Sequence, residues 1–294
     1  MAHALPTLAW WDGGSPAVLW AGIDAAKQRL EGAQAMAMFR KRTLLAFVFM
    51  FNKLEGTLPA SFNDWATYQR LEAELDSTQD SEPDGAPTVH WPAEGGGSTC
   101  ATGQQLLQSL KAVKYLCSPL RVPLSVEHIC TAHKLMMWGA VEDDGMLLAA
   151  GQFRTTPAHS GTGYVYPPAD TIPQGLQQIV DDFNAAAGST DAVPSQLAAE
   201  LLYRFVTLHP FQNGNGRMCR LLAAYAACAA GVPFILHLHN GHRKARQHYL
   251  QVLRHADKHA GDTSRLQSFI LECMHFQWQN AVAFAGVRGR RAFS

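Results

Sequence analysis

The stretch His209-Pro210-Phe211-Gln212-Asn213-Gly214-Asn215-Gly216-Arg217 constrains the chain more than any other. Apolar residues at helical spacing precede it (Leu197, Leu201, Leu202, Phe205), and an alanine-rich run to Ala230 follows it. Pro210 disfavours α conformation at His209, so the first helix must end there. Gly214 and Gly216 allow unusual backbone angles and close approach of a ligand. The chain must therefore fold as helix, tight turn, helix. Ser195 is the expected N-cap of the first helix, and the second is expected from about Gly216 to Ala230, stopping at Gly231 and Pro233.

Such a turn has chemical consequences. The free N–H groups and positive dipole end of the second helix attract an anion, and the turn's own amides can form a nest. Arg217 and Arg220 sit three apart in the opening turns of that helix. Cations are unfavourable there by a few tenths of a kcal/mol or more, so two arginines point to an anion between them, and guanidinium suits phosphate. His209 lies at the mouth of this cradle and can take a proton from a hydroxyl. A base beside a phosphate cradle implies attack on phosphorus.

The rest of the chain reads as mainly helical. Helices are expected over most of Pro16–Phe51, from Ser61 or Asn63 to Leu75, over Gln104–Cys117, Ser125–Met137 (Ser125 as N-cap) and Ile172–Ala187, from Arg243 to His255, and over Ser264–Phe276. Gly151-Gln152-Phe153-Arg154-Thr155-Thr156 and Gly163-Tyr164-Val165-Tyr166 flank a turn and predict a short β-hairpin. Asp76–Gly103, with three prolines and a Gly95-Gly96-Gly97 run, is expected to be a mobile insertion. The chain then divides into 1–75, an N-terminal helical segment; 76–103, the insertion; 104–278, the core; and 279–294, a basic tail.

Acidic and basic residues balance at 24 each, which excludes a strongly basic nucleic-acid footprint. The longest apolar run, Leu44–Phe51, is far short of the roughly 20 residues of a membrane span. Met1–Trp20 lacks the features of a secretory signal. Six cysteines without a Cys-x-x-Cys pair fit a reducing compartment, so the expected location is cytoplasmic or nuclear. His237, His239 and His242 are read as solvated or nucleotide-flanking rather than as a metal site.

The segment His209–Arg220 resembles the signature of the Fic (filamentation induced by cAMP) proteins, His-Pro-Phe-x-Asp/Glu-Gly-Asn-Gly-Arg-x-x-Arg. Tyr166-Pro167-Pro168 with Ile172-Pro173, and Arg246–Asp257 with Tyr249, resemble further parts of the family. The likeness covers roughly Gln104–Met274 and a stretch near Glu55. It implies an all-α Fic-type bundle with one short β-hairpin flap, and transfer of AMP from ATP to a Ser, Thr or Tyr hydroxyl of a target protein. It casts His209 as general base. Gly214, Asn215 and Gly216 become the phosphate cradle and Arg217 and Arg220 the holders of the β- and γ-phosphates. Phe211 becomes the loop's anchor, and Tyr249 a further part of the nucleotide site. The segment bearing Gly151, Phe153, Arg154, Tyr164 and Tyr166 becomes a flap that aligns the target by strand addition.

Asn213 departs from the pattern, standing where the family carries the acidic residue that holds Mg²⁺. Its amide oxygen is a weaker ligand without charge, which leaves room for transfer of another phosphate-containing group. A nucleotide-binding module without catalysis is a further alternative, against which His209 argues. Phe51-Asn52-Lys53-Leu54-Glu55-Gly56 resembles the family's inhibitory motif, with Phe51 in place of Ser/Thr. The resemblance implies that Glu55 pairs with Arg220 and blocks productive ATP binding, within one chain or across a homodimer.

Overall fold

The computed structural model describes residues 5–10, 14–30, 35–54, 65–76, 98–140, 148–161 and 163–291. Among these residues the regular elements are ten α-helices and one 3-10 turn at Ala169–Thr171. The helices are α1 (Pro16–Leu30), α2 (Ala35–Leu54), α3 (Trp65–Asp76), α4 (Ser98–Cys117), α5 (Val126–Met137), α6 (Ile172–Ala187), α7 (Pro194–Leu208), α8 (Asn215–Ala229), α9 (Ala245–Lys258) and α10 (Ser264–Arg291).

α8 is the axis of the bundle. Every residue from Arg217 to Ala227 is buried, the pattern of a helix enclosed on all sides. Ala223, Ala224, Ala226 and Ala227 are wholly inaccessible, and their small side chains let neighbouring helices come close. α7 packs along α8, with α4 and α2 also against it, while α1 lies along α10 and α5 along α4. The core runs through all of these layers, from Ile23 and Val48 to Phe205, Phe211, Tyr225 and Phe269.

Several expected boundaries move. Ser195 is not the cap of α7: the helix starts at Pro194, whose φ is already helical and which has no N–H to satisfy. The Ser195 hydroxyl is buried instead. Ser125 does cap α5, accepting the His128 N–H at 3.1 Å. Within the expected insertion, Ser98–Gly103 are helical and open α4, which packs on α3; residues 77–97 lie outside the described residues. The expected tail also changes. α10 continues to Arg291, because its buried face continues: Trp278 packs edge-on against Phe234 at 5.0 Å, and Phe284 lies 5.9 Å from Phe39.

The expected β-hairpin is absent as a pair of strands. Between Gly151 and Tyr166 the described residues form one isolated antiparallel bridge, His159 with Val165. Two hydrogen bonds flank it, Ser160 N–H to the Tyr164 carbonyl (2.8 Å) and Tyr166 N–H to the Ala158 carbonyl (3.1 Å). Pro157 and Pro167-Pro168 offer no N–H, so the ladder cannot extend away from the turn, and at the other end the chain already turns, Gly163 N–H bonding the Ser160 carbonyl.

Candidate functional site

α7 ends where Pro210 requires. His209 caps it in the left-handed region (φ 51°, ψ 59°), its N–H still bonded to the Phe205 carbonyl. That conformation costs a non-glycine residue about 1–2 kcal/mol, so the surroundings must hold it. Phe211 turns into the core with no exposed surface, its ring stacked on His133 at 3.7 Å and 5°. The Asn215 side chain spans the turn, accepting the Phe211 N–H (3.0 Å) and donating to the Phe211 carbonyl (2.7 Å). Gly214 has φ +76°, and a Cβ there would lie 2.8 Å from Met137 Sδ and 3.2 Å from His133 Nε2.

The amides at the head of α8 face this turn. The first intrahelical bond runs from Met218 N–H to the Gly214 carbonyl, so the N–H groups of Asn215 and Gly216 lie ahead of it, with the positive end of the helix dipole. The Gly214 N–H is taken by Asn213 Oδ1 at 2.6 Å. Any phosphate cradle therefore rests on backbone amides of the first turn. The Asn215 side chain is committed to loop closure.

The His209 ring is partly buried and stacks on Tyr166 at 3.8 Å and 17°. Nδ1 faces the Val206 carbonyl at 3.4 Å. A proton on Nδ1 would satisfy that contact and leave the lone pair on Nε2, the form a general base needs. Burial pushes the imidazole down to about 4, the Val206 contact opposing and the Arg154 charge assisting. At neutral pH the ring is uncharged.

Arg217 and Arg220 are both buried, at 6% and 8% exposure, in the opening turns of α8. The Arg220 guanidinium lies 5.7 Å from the ring centre of Phe51, in the last turn of α2. Glu55, four residues further on, lies outside the described residues. Tyr249 sits on α9, buried, its hydroxyl 3.8 Å from Cys219 Sγ, which donates to the Gly216 carbonyl.

The donor set for Mg²⁺ is poor. Among the described residues no group of three or more His, Cys, Asp or Glu could hold a metal ion, and Asn213 offers one neutral oxygen that already accepts an N–H. Mg²⁺ is held by carboxylates and substrate phosphates, so these residues do not make a metal site of their own. Of the two readings of His237, solvated or nucleotide-flanking, the structure does not bear out the solvated one. His237 is partly buried, its Nε2 2.7 Å from the Thr43 carbonyl, and burial pushes it down to about 4.

The segment 151–166 is tied to the loop. Arg154, 3% exposed, donates from its guanidinium to the carbonyls of His209 (2.8 Å), Thr156 (2.9 Å) and Pro167 (2.5 Å). Its backbone N–H reaches the Pro210 carbonyl, and the Thr156 hydroxyl donates to Gln212 Oε1 at 3.1 Å. Arg154 thus faces inward, whereas Tyr164 (46%) and Val165 (63%) face outward. Phe153 lies 5.9 Å from Phe211. Sequence reasoning missed His133, which lies within the helix expected over Ser125–Met137. The available signal was a histidine on a buried face, which must find partners for both ring nitrogens.

A helical bundle with this loop at its centre is the fold of Fic-domain proteins. A Fic domain-containing signaling protein from Bacteroides thetaiotaomicron superposes with a TM-score of 0.67 over 92% of this chain and 97% of its own, at 18% identity. Residues 123–227 match the sequence model of the Fic/DOC family. A Fido domain-containing protein of Dictyostelium discoideum is 31% identical over 139 residues, which span 46% of this chain and 94% of that protein. The chain belongs to the Fic/DOC family. It is also 33% identical over 129 residues to the protein adenylyltransferase Fic of Aedes aegypti, a match that covers 43% of this chain but only 24% of that enzyme. No helix among the described residues is long and apolar enough to cross a membrane.

Proposed function

We propose that this protein is an adenylyltransferase that moves AMP from ATP to a Ser, Thr or Tyr hydroxyl of another protein. What supports the reading is an uncharged His209 imidazole that ends α7 on the loop leading into the head of α8, in a chain similar to proteins named adenylyltransferases. His209 Nε2 takes the proton of the target hydroxyl as its oxygen bonds to the α-phosphorus. The bond from that phosphorus to the β-phosphate oxygen breaks, and pyrophosphate leaves. The Asn215 and Gly216 amides with Arg217 and Arg220 hold the phosphates, and placement supplies most of the rate. The exposed Tyr164 and Val165 on the 151–166 segment meet the target chain. Glu55 follows directly on the helix whose end touches Arg220, which suits a contact that holds the enzyme back.

Asn213 favours a second reading, transfer of a different phosphate-containing group, because the loop lacks the carboxylate of the family signature. Incubation with ATP labelled at the α- or the γ-phosphate separates the two. Protein-bound label from the α position alone, lost in His209→Ala, supports adenylylation. Label from the γ position points to phosphoryl transfer, and ATP binding with no label from either identifies a binding module.

A further inference from the structure

We propose that His133 is a positioning residue that joins the base of the 151–166 flap to the phosphate loop, so that nucleotide binding orders the flap. The proposal rests on reading the loop as a nucleotide site. His133 is 1% exposed on α5, and both its ring nitrogens are engaged. Nδ1 accepts the Gly151 N–H at 2.8 Å. Nε2 lies 3.0 Å from the Asn213 carbonyl. Accepting an N–H requires a lone pair on Nδ1, and reaching a carbonyl requires a proton on Nε2, so only one neutral tautomer makes both bonds.

The ring is held in plane by its stack on Phe211. Its Nε2 edge is also 3.2 Å from where a Gly214 Cβ would be, so the loop closes directly onto it. On the other side Gly151 (φ +82°) is pressed onto α5, where a Cβ would lie 2.9 Å from both the Cys130 carbonyl and Lys134 Cβ. Gly151 and Asn213 thus touch opposite edges of one ring that cannot tilt. Burial keeps the ring neutral, pushing it down to about 4 against the Asn213 bond, with the Arg217 charge assisting.

The full chain tests this with amide hydrogen exchange, ATP titration and ring nitrogen NMR. In the unaltered protein the ring is expected as the Nε2–H tautomer at neutral pH. ATP at a hundred times its Kd is expected to slow Gly151 exchange, by up to about a hundredfold, although Gly151 lies on the flap and not in the phosphate loop. His133→Asn keeps an acceptor for Gly151, and His133→Gln keeps a donor for Asn213. His133→Phe keeps only the stack. In His133→Phe, Gly151 exchange is expected to ignore ATP and kcat to fall about tenfold to a hundredfold, with a smaller change in KM for ATP; the two amide variants should recover part of the loss.

A proton on Nδ1, or Gly151 exchange in the unaltered chain that does not respond to ATP, overturns the proposal, and neither measurement needs a variant to fold. Gly151 slowing in His133→Phe as it does in the unaltered chain also overturns it. ATP-dependent slowing of Gly151 without α-label transfer leaves the clamp standing and defeats the adenylylation reading. α-Label transfer with unresponsive Gly151 exchange does the reverse.

Discussion

Replacing Arg154 by Met tests how the loop is held. Met retains most of the apolar stem and removes the guanidinium. Three carbonyl bonds disappear. Thr156 is exposed and Pro167 partly so; their carbonyls can hydrate, at a net loss of about 0.5–1 kcal/mol each. His209 is partly buried as well, and its carbonyl faces the loop, where leaving it unpaired costs about 1–3 kcal/mol. Removing a desolvated charge returns part of this. The net loss is about 2–3 kcal/mol, or roughly 3–5 °C in Tm for a chain of 294 residues. A second effect follows from charge: Arg154 helps depress the His209 imidazole, so its titration midpoint should move up in the variant. Thermal unfolding measures the first effect and NMR titration of the His209 ring the second. A Tm within about 1 °C of the parent together with an unmoved His209 midpoint would refute the argument that Arg154 holds the loop.

The pH dependence has a definite sign. His209, His133 and His237 are all held near 4 when folded, against about 6.5 when unfolded. The unfolded chain binds more protons between those values. Their contribution to stability is complete above about 6.5 and lost as pH falls toward 4, which denaturant titration across that window measures; kcat/KM for transfer should be flat near neutrality and fall only near 4. Asn215→Ala removes both bonds to the Phe211 backbone and should destabilise by about 2–4 kcal/mol, read by urea unfolding, while also weakening ATP binding in calorimetry. Asn213→Asp should raise Mg²⁺ affinity and the Mg²⁺-dependent rate; no gain in either removes the argument from the missing carboxylate. Glu55→Gly should raise self-labelling with α-labelled ATP, and unchanged labelling would discard the inhibitory contact.

The loop was legible because its constraints are local. Pro210 acts on the residue before it, and Gly214 needs φ +76°, so the end of α7 and the start of α8 could be placed within a residue. The expected hairpin is reduced to a single bridge among the described residues for a related reason: two segments flanking a turn suggested strands, but the prolines that bound them remove the donors a ladder needs. α10 outran its expected end because burial against Phe39 and Phe234 sustains a helix that the polar tail alone would not. Asn215 was recognised as part of the motif, but its task, bridging Phe211's own backbone, depends on how the turn closes.

Sequence alone determined where the helices break around residues 209–216, which charges lie at the head of α8, and that an imidazole, His209, stands at the end of the helix before it. Those outcomes follow from backbone stereochemistry and from spacing within a few residues. Only tertiary structure decided that Arg154 would be buried on the His209 carbonyl, that Tyr166 would cover the His209 ring, and that His133, 80 residues from Asn213, would hold it. Hydrogen bonds between distant segments are selected by the demand that buried polar groups be paired once packing has brought them together, and no local pattern records which partner each will meet.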